Sequence, residues 1–221
     1  MEAATFRLNG SEFVGAFATA TDSYVFVGAS ISRKSIRVLE EVLQVKHIPI
    51  MISDSDLVGM LARANSNGIL ISNLAYDSEI EAIKGMGLGI NVEVLESDLN
   101  AVGNNIIAND KFAIVNPDYD QKAVQQIEDA LGVEAIKGEI AKMKTIGANN
   151  ILTNKGFVIN NRSEDSEKEK YDKILGFNSV RTTANRGSIA IGLSVIANSK
   201  AIIVGSETTG YELDRMLSAL E

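Results

Sequence analysis

The sequence predicts an α/β fold in which five copies of one unit form a closed ring with fivefold pseudo-symmetry. Five glycines follow one another at intervals of 44, 44, 44 and 45 residues, namely Gly15, Gly59, Gly103, Gly147 and Gly192. An interval of this length that stays constant indicates a repeated supersecondary unit. The segments after the glycines are also similar, because an asparagine stands six residues beyond the second, third and fifth glycine.

The two ends of the chain predict that the array closes on itself. The 30 residues from Gly192 onward are too few for one unit, and 14 residues precede Gly15. Together these two segments make one unit of 44 residues. A linear array needs polar caps, whereas a ring has no exposed terminal strand. We therefore expect the N-terminal strand to complete the fifth repeat, within a single domain that spans residues 1–221.

The second copy shows the elements of the unit. Residues 60–64 are predicted as a short strand, residues 65–68 as a hairpin turn and residues 69–71 as the returning strand. The spacing of apolar residues predicts a helix over 77–86. Alternation of apolar and polar residues predicts a third strand over 91–95.

The later copies repeat this order. Val124, Ile127 and Leu131 have helical spacing, and a strand is predicted after them over 133–137. The last helix is predicted over 213–220. The strand that should follow it lies at the other end of the chain, over 3–8.

The composition excludes several classes of function. Cysteine is absent, which excludes disulfides, thiolate metal sites and cysteine nucleophiles. A net charge of −8 disfavours extensive direct contact with nucleic acid. The longest run without a charged residue is 13, too short for a membrane span, and no signal peptide is recognisable at the N-terminus. These features indicate a cytoplasmic protein with no membrane contact.

No catalytic, cofactor-binding or metal-binding residues are predicted. The single histidine, His47, lies in a predicted strand and has no second histidine with which to hold a metal. Asp54 and Asp56 are best explained as residues of a turn. The segment 85–89 is rich in glycine but follows a helix, so it is predicted to end that helix and not to bind phosphate.

Three motifs, together with the five-copy unit, give a family resemblance. They are residues 99–104 (Leu-Asn-Ala-Val-Gly-Asn), 183–187 (Thr-Ala-Asn-Arg-Gly) and 208–213 (Thr-Thr-Gly-Tyr-Glu-Leu). This combination resembles the family of translation initiation factor 6, and its archaeal type most of all. The resemblance extends over essentially the whole chain.

The resemblance implies the pentein fold, a closed five-bladed αβ propeller, and a protein without catalytic activity. It implies binding to the large ribosomal subunit at the face that meets the small subunit, and hence a block on subunit joining. The implied main contact is ribosomal protein fourteen, near the sarcin–ricin loop. An acidic factor suits a basic ribosomal protein as its partner. A closed ring has no free edge that requires a second copy, so a monomer is expected.

The resemblance also implies a ribosome-binding face at one end of the pseudo-fivefold axis. The residues expected there are Gly15, Gly59, Met60, Asn65, Gly103, Asn104, Gly147 and Gly192. The glycines themselves are explained by positive φ or by close packing at the axis. Asn104 is the more specific candidate, because the other four copies have Ala16, Met60, Ala148 and Leu193 at this position. Many eukaryotic members have arginine where Met60 stands, so a charged contact at this position is not expected for this chain.

Two other functions stay open from the sequence alone. One is an enzyme like the penteins that modify guanidino groups, which use a cysteine and a histidine. Because this chain has no cysteine, such an enzyme would need an active site made of carboxylic acids only. The protein could also be an interaction hub with a partner outside the ribosome. Only the family resemblance favours a ribosome-binding factor over this function.

Overall fold

The structure contains five three-stranded sheets, one for each repeat, arranged around a central axis. The computed structural model describes residues 1–221. We call each sheet with its helices a blade. This architecture confirms the predicted closed five-bladed αβ propeller and its repeat of about 44 residues.

The elements follow the same order in every blade. The chain begins with strand β1 (Glu2–Phe6). Blade one contains a 3-10 helix (Val14–Ala16), β2 (Ala18–Ala20), β3 (Tyr24–Gly28), α1 (Arg33–Leu43) and β4 (Lys46–Ile50). Blade two contains α2 (Val58–Leu61), β5 (Ala62–Ala64), β6 (Gly68–Ser72), α3 (Asp77–Gly85) and β7 (Asn91–Leu95). Blade three contains α4 (Val102–Asn105), β8 (Ile106–Ala108), β9 (Phe112–Val115), α5 (Gln121–Leu131) and β10 (Glu134–Lys137). Blade four contains α6 (Ile146–Asn149), β11 (Ile151–Leu152), β12 (Phe157–Asn160), α7 (Asp165–Leu175) and β13 (Val180–Thr182). Blade five contains α8 (Ile191–Ser194), β14 (Val195–Ala197), β15 (Ala201–Gly205) and α9 (Gly210–Leu220), together with β1.

Within each sheet the inner strand is antiparallel to the middle strand, and the outer strand is parallel to it. In blade two, for example, Ala62 lies opposite Ile71 on the antiparallel side. Gly68 lies opposite Asn91 on the parallel side. The middle strand is buried along its whole length, which explains why its sequence is a continuous apolar run without alternation.

The short helices differ from the sequence prediction. Residues 60 and 61 were predicted to begin a strand, but they form the end of α2. The backbone N–H groups of Met60 and Leu61 both donate to the carbonyl of Leu57, at 3.0 and 3.1 Å. A single helical turn was missed because four residues are too few to show a helical period.

The long helices are capped by their own sequences. Ser32, Asp120 and Thr209 accept hydrogen bonds from backbone N–H groups in the first turns of α1, α5 and α9. Gly132 and Gly176 end α5 and α7 in the left-handed conformation. The helix α3 ends at Gly85, as predicted from the glycine-rich segment. None of the helices is long and apolar enough to cross a membrane.

Blade five is closed by the first strand of the chain. Strand β1 is parallel to β15, with Glu2 opposite Ala201 and Phe6 opposite Gly205. The N-terminal amine lies 3.0 Å from Oε1 of Glu221. The predicted completion of the fifth repeat is therefore confirmed, although the strand covers residues 2–6 and not 3–8.

The hydrophobic core is divided into five clusters, each built from two neighbouring blades. Phe26 of blade one, for example, packs with Ile69 and Ile83 of blade two. Val27 of blade one packs with Ile203 of blade five, so the last blade is joined to the first. A fully buried side chain of this size contributes about 1.5–3 kcal/mol. Stability therefore depends on the contacts between blades.

The outer strands carry a repeated protective contact at their exposed edge. In three blades the backbone N–H at the start of the outer strand donates to a carboxylate seven residues earlier, in the preceding helix. The pairs are His47 with Glu40, Ala135 with Glu128 and Ser179 with Asp172, at 3.1, 3.0 and 2.9 Å. These contacts occupy a donor that another strand would otherwise use.

Candidate functional site

The pseudo-fivefold axis has two different ends. The short helices lie at one end, together with the loops that follow the middle and outer strands. We call this the helix end. The hairpins that join inner and middle strands lie at the other end, which we call the turn end.

The repeat glycines form a closed ring of contacts at the helix end. A Cβ atom on Gly103 would lie 2.0 Å from the carbonyl oxygen of Gly59. The same contact recurs around the ring at 1.9–2.2 Å, and it closes where Gly15 meets Gly192. None of the five has a positive φ. Close packing, and not a left-handed backbone, is the reason for the repeated glycine.

Met60 and Asn104 directly follow two of these glycines and are half-buried at the helix end. The Oδ1 atom of Asn104 is buried and has no hydrogen-bond partner among the protein atoms. Both amide atoms of Asn105, the next residue, have a partner: Nδ2 donates to the carbonyl of Ala101, and Oδ1 accepts from the side chain of Asn116. Asn104 is thus the asparagine of this helix whose side-chain oxygen is unpaired.

Asn65 does not lie with Met60 and Asn104. It follows the inner strand β5, which carries it to the turn end, roughly 10 Å away for three extended residues. It is 3% exposed, and its amide donates to the carbonyls of Asn109 and Leu131 at 3.0 and 2.7 Å. Its Oδ1 accepts from the backbone N–H groups of Asn67 and Gly68, at 3.0 Å each. Asn65 therefore joins blades two and three and is separated from the other predicted site residues.

Carboxylates that the sequence analysis did not single out fix the loops at the helix end. Ser53 and Asp54 both have a φ of +55°, and their N–H groups donate to Glu79 at 2.7 and 2.9 Å. The same carboxylate caps α3 by accepting from the N–H of Tyr76 at 2.9 Å. Glu167 and Glu212 repeat this arrangement in blades four and five. The capping pattern Ser/Thr-x-x-Glu, present at Thr209 to Glu212, is the signal that could have identified one of them.

Glu212 has the most hydrogen bonds of these carboxylates. It accepts from the hydroxyls of Thr183 and Thr209 at 2.7 and 2.9 Å, and from the N–H groups of Thr209, Gly187 and Arg186. Burial raises its pKa, but the hydrogen bonds outweigh burial, and the net pKa lies below its ordinary value. The fold therefore stabilises the ionised carboxylate of Glu212.

An acidic groove of about 540 Å³ opens at the helix end between blades two and three. It is lined by Asn73, Glu96, Ser97, Asp98, Leu99, Asp118 and Asp120. Two cations lie beside it: the Nζ of Lys144 is 2.8 Å from Asp118, and the Nζ of Lys137 donates to the carbonyl of Tyr119, between the two lining aspartates. Sequence reasoning missed this groove because its residues come from three separate loops.

The remaining polar candidates have structural partners. The ring Nδ1 of His47 lies 2.7 Å from Glu40 Oε1, and this contact is the main reason that the pKa of Glu40 is lowered. Asp54 and Asp56 lie in a turn, as predicted, where Asp56 accepts from the N–H and hydroxyl of Ser30. No group of three or more histidine or carboxylate side chains is placed to hold a metal ion.

Comparison with known proteins identifies the family. A model of the eIF-6 family matches residues 3–219. Translation initiation factor 6 of Thermoplasma acidophilum is 39% identical over 206 residues, which cover 93% of this chain and 94% of that protein. Translation initiation factor 6 of Methanosarcina acetivorans is 38% identical over 216 residues, with 98% and 97% covered. For the protein of that name from Pyrococcus horikoshii, the identity is 35% over 214 residues, with 95% and 94% covered.

Among solved structures, a crystal structure of dimethylarginine dimethylaminohydrolase matches 99% of this chain and 95% of its own, with 12% identity and a TM-score of 0.49. That likeness is too weak to carry an argument about activity. The relatives named above are translation initiation factors, and on that ground the prediction that the chain is not an enzyme is confirmed. With a family match over nearly its whole length and relatives above 30% identity, the chain belongs to the eIF-6 family of translation initiation factors.

Proposed function

We propose that this protein binds the large ribosomal subunit at its subunit-joining face and prevents association with the small subunit. The observation that carries the proposal is the family match over residues 3–219. The protein would act by occupying a surface and not by catalysis, as a single domain and a monomer in the cytoplasm.

The proposed partner is a basic protein surface of the large subunit, namely ribosomal protein fourteen near the sarcin–ricin loop. The net charge of −8 supports this choice, as do the carboxylates of the acidic groove. Complementary charge speeds encounter and fixes orientation. Extensive contact with RNA would instead require a positive surface.

The helix end of the axis is the proposed docking face. The ring glycines would act there indirectly, because their packing positions the residues that follow them. Asn104 would act directly, since the exposed part of its half-buried side chain lies at this face. Met60 would add apolar contact beside it. Asn65 is not part of this face.

Sucrose-gradient sedimentation with separated ribosomal subunits tests the proposal. We expect the protein to migrate with the large subunit only and to reduce the fraction of joined ribosomes when small subunits are added. Comigration with neither subunit would refute the proposal and would favour a partner outside the ribosome.

A pair of charge substitutions tests the face. We expect Asn104→Arg to weaken binding to the large subunit by about tenfold or more, which corresponds to about 1.4 kcal/mol, because it places a positive charge against a basic partner. Ser23→Arg adds the same charge on an exposed residue at the turn end and should bind as the parent does. If both folded variants bound equally well, the docking face would be assigned to the wrong end.

A further inference from the structure

The centre of the ring contains a small, partly open cavity, for which the proposed function needs no occupant. The inner strands surround it, and its volume is about 40 Å³. A water molecule needs about 10–15 Å³ on this measure, so the cavity has room for roughly three water-sized groups. Most of its lining residues are small or apolar, and Arg63 is the one charged residue among them.

Arg63 is not required by the repeat. The corresponding residue stands four positions after the repeat glycine, and the other copies place Thr19, Ile107, Ile151 and Ile196 there. Three of the five blades therefore form the same inner strand with isoleucine. The arginine is a feature of blade two alone.

Two polar atoms at this level of the axis lack partners. The Nη2 atom of Arg63 donates to the carbonyl of Gly103 at 2.7 Å, but its buried Nε–H has no protein acceptor. The hydroxyl of Thr19 lines the same cavity, is also without a partner, and belongs to a residue that is only 3% exposed. Buried donors of this kind are nearly always satisfied, so both indicate an occupant of the cavity.

The positive charge of Arg63 indicates that the occupant is negatively charged. Burial lowers the pKa of Arg63 to about 10, which still leaves the guanidinium charged at neutral pH. No carboxylate lines the cavity. Asp22 and Asp110 lie farther along the axis, at the turn end, where Ser199, Ser66 and Asn154 donate to them. The Arg63 side chain as a whole is half-buried, but its Nε–H is buried and unpaired, and an anion beside it would offset the cost of that unpaired donor on a charged group.

We propose that the axial cavity binds a small monovalent anion, such as a halide, between the guanidinium of Arg63 and the hydroxyl of Thr19. One negative charge balances the one cation, and the Nε–H and the hydroxyl supply the two donors. The cavity volume limits the occupant to an ion of a few atoms at most. Water is the competing occupant, because polar cavities of this size commonly hold it.

Bromide is the probe, because its anomalous X-ray scattering distinguishes it from water. Crystals of the parent protein and of Arg63→Ile are grown in bromide. The substituted residue is the one that three other blades carry, so the variant is expected to fold. We expect an anomalous peak within hydrogen-bond distance of the Arg63 guanidinium in the parent and none in the variant. Water alone at this position in the parent would overturn the proposal.

Thermal unfolding gives a second measurement in solution. Gluconate is replaced by bromide at constant ionic strength. When the bromide concentration is ten times its dissociation constant, Tm of the parent should rise by ~3–6 °C. This dependence should vanish in Arg63→Ile and weaken in Thr19→Val. An equal rise in all three proteins would be a general salt effect and would count against the site. Neither readout depends on ribosome binding, so the proposed function can fail without affecting this inference.

Discussion

Replacing one ring glycine by alanine tests whether the closed contact ring is the reason for the repeat. A Cβ atom on Gly103 would lie 2.0 Å from the carbonyl oxygen of Gly59 and 2.6 Å from that of Ala62. Real Cβ contacts are rarely shorter than about 3.0 Å, so α4 would have to move by roughly 1 Å. Neighbouring short helices meet in a closed circle, and the displacement cannot be relieved at a free end.

The expected cost follows from the overlap. Overpacking typically costs about 1–3 kcal/mol, and contact with backbone on a closed ring places Gly103→Ala at the upper limit, about 3 kcal/mol. For a chain of this size, Tm should fall by ~6–12 °C. The urea midpoint should fall by roughly 1–2 M. Because the chain has no tryptophan, far-ultraviolet circular dichroism is the suitable probe of unfolding.

Gly210→Ala provides the matched control. Gly210 is the first residue of α9, and a Cβ atom there would meet nothing within 4 Å. The same chemical change should leave stability unchanged or raise it by up to about 1 kcal/mol, because alanine loses less entropy on folding. If Gly103→Ala unfolded at the same urea concentration as Gly210→Ala, packing would not explain the ring glycines.

Further predictions concern buried polar groups. Glu212→Gln should lower the free energy of unfolding by about 2–4 kcal/mol, because the NH2 group of glutamine would face backbone N–H donors that now bond to the carboxylate. Urea unfolding measures this loss, with Glu41→Gln at an exposed position as the control. The pKa of Glu212 is lowered by folding, so its contribution is complete above the unfolded pKa near 4.5 and is lost as pH falls through the lower folded value. Stability of the parent should therefore drop more steeply below pH 4.5 than that of Glu212→Gln, and parallel pH profiles would contradict this. Asn65→Ala removes four hydrogen bonds and leaves three backbone groups unpaired, because the carbonyl of Leu131 still accepts from the side-chain amide of Asn67. We expect a cost of about 2–4 kcal/mol in urea unfolding. At a temperature where the variant is folded, it should bind the large subunit as the parent does, and loss of binding would return Asn65 to the docking face.

The sequence was sufficient for the architecture because the repeat is long and regular. The interval between glycines and the lengths of the two end segments predicted a closed ring with β1 in blade five, and the pairing of β1 with β15 confirms it. The short helices were not predictable, because each is one turn formed by contact with its neighbour around the axis. Their glycines were visible in the sequence, but the contact that requires them exists only in the assembled ring.

The candidate site was less predictable than the fold. Asn65 was placed near Met60 because both lie shortly after Gly59, yet the strand between them carries Asn65 to the opposite end of the axis. The acidic groove and the environment of Arg63 were missed for the same physical reason. Each is assembled from blades that are about 44 residues apart in the chain, and no local pattern records that proximity.

The pairing of β1 with β15 has a consequence for the time at which the protein can fold. During synthesis β1 is made first, and its partner strand emerges about two hundred residues later. Until then the nascent chain can form at most an open arc of blades, with apolar surfaces at both ends that would otherwise face each other. Contacts so distant in sequence form slowly. Completion of the ring is therefore a late step of folding, and the incomplete arc is the species most in need of protection from aggregation.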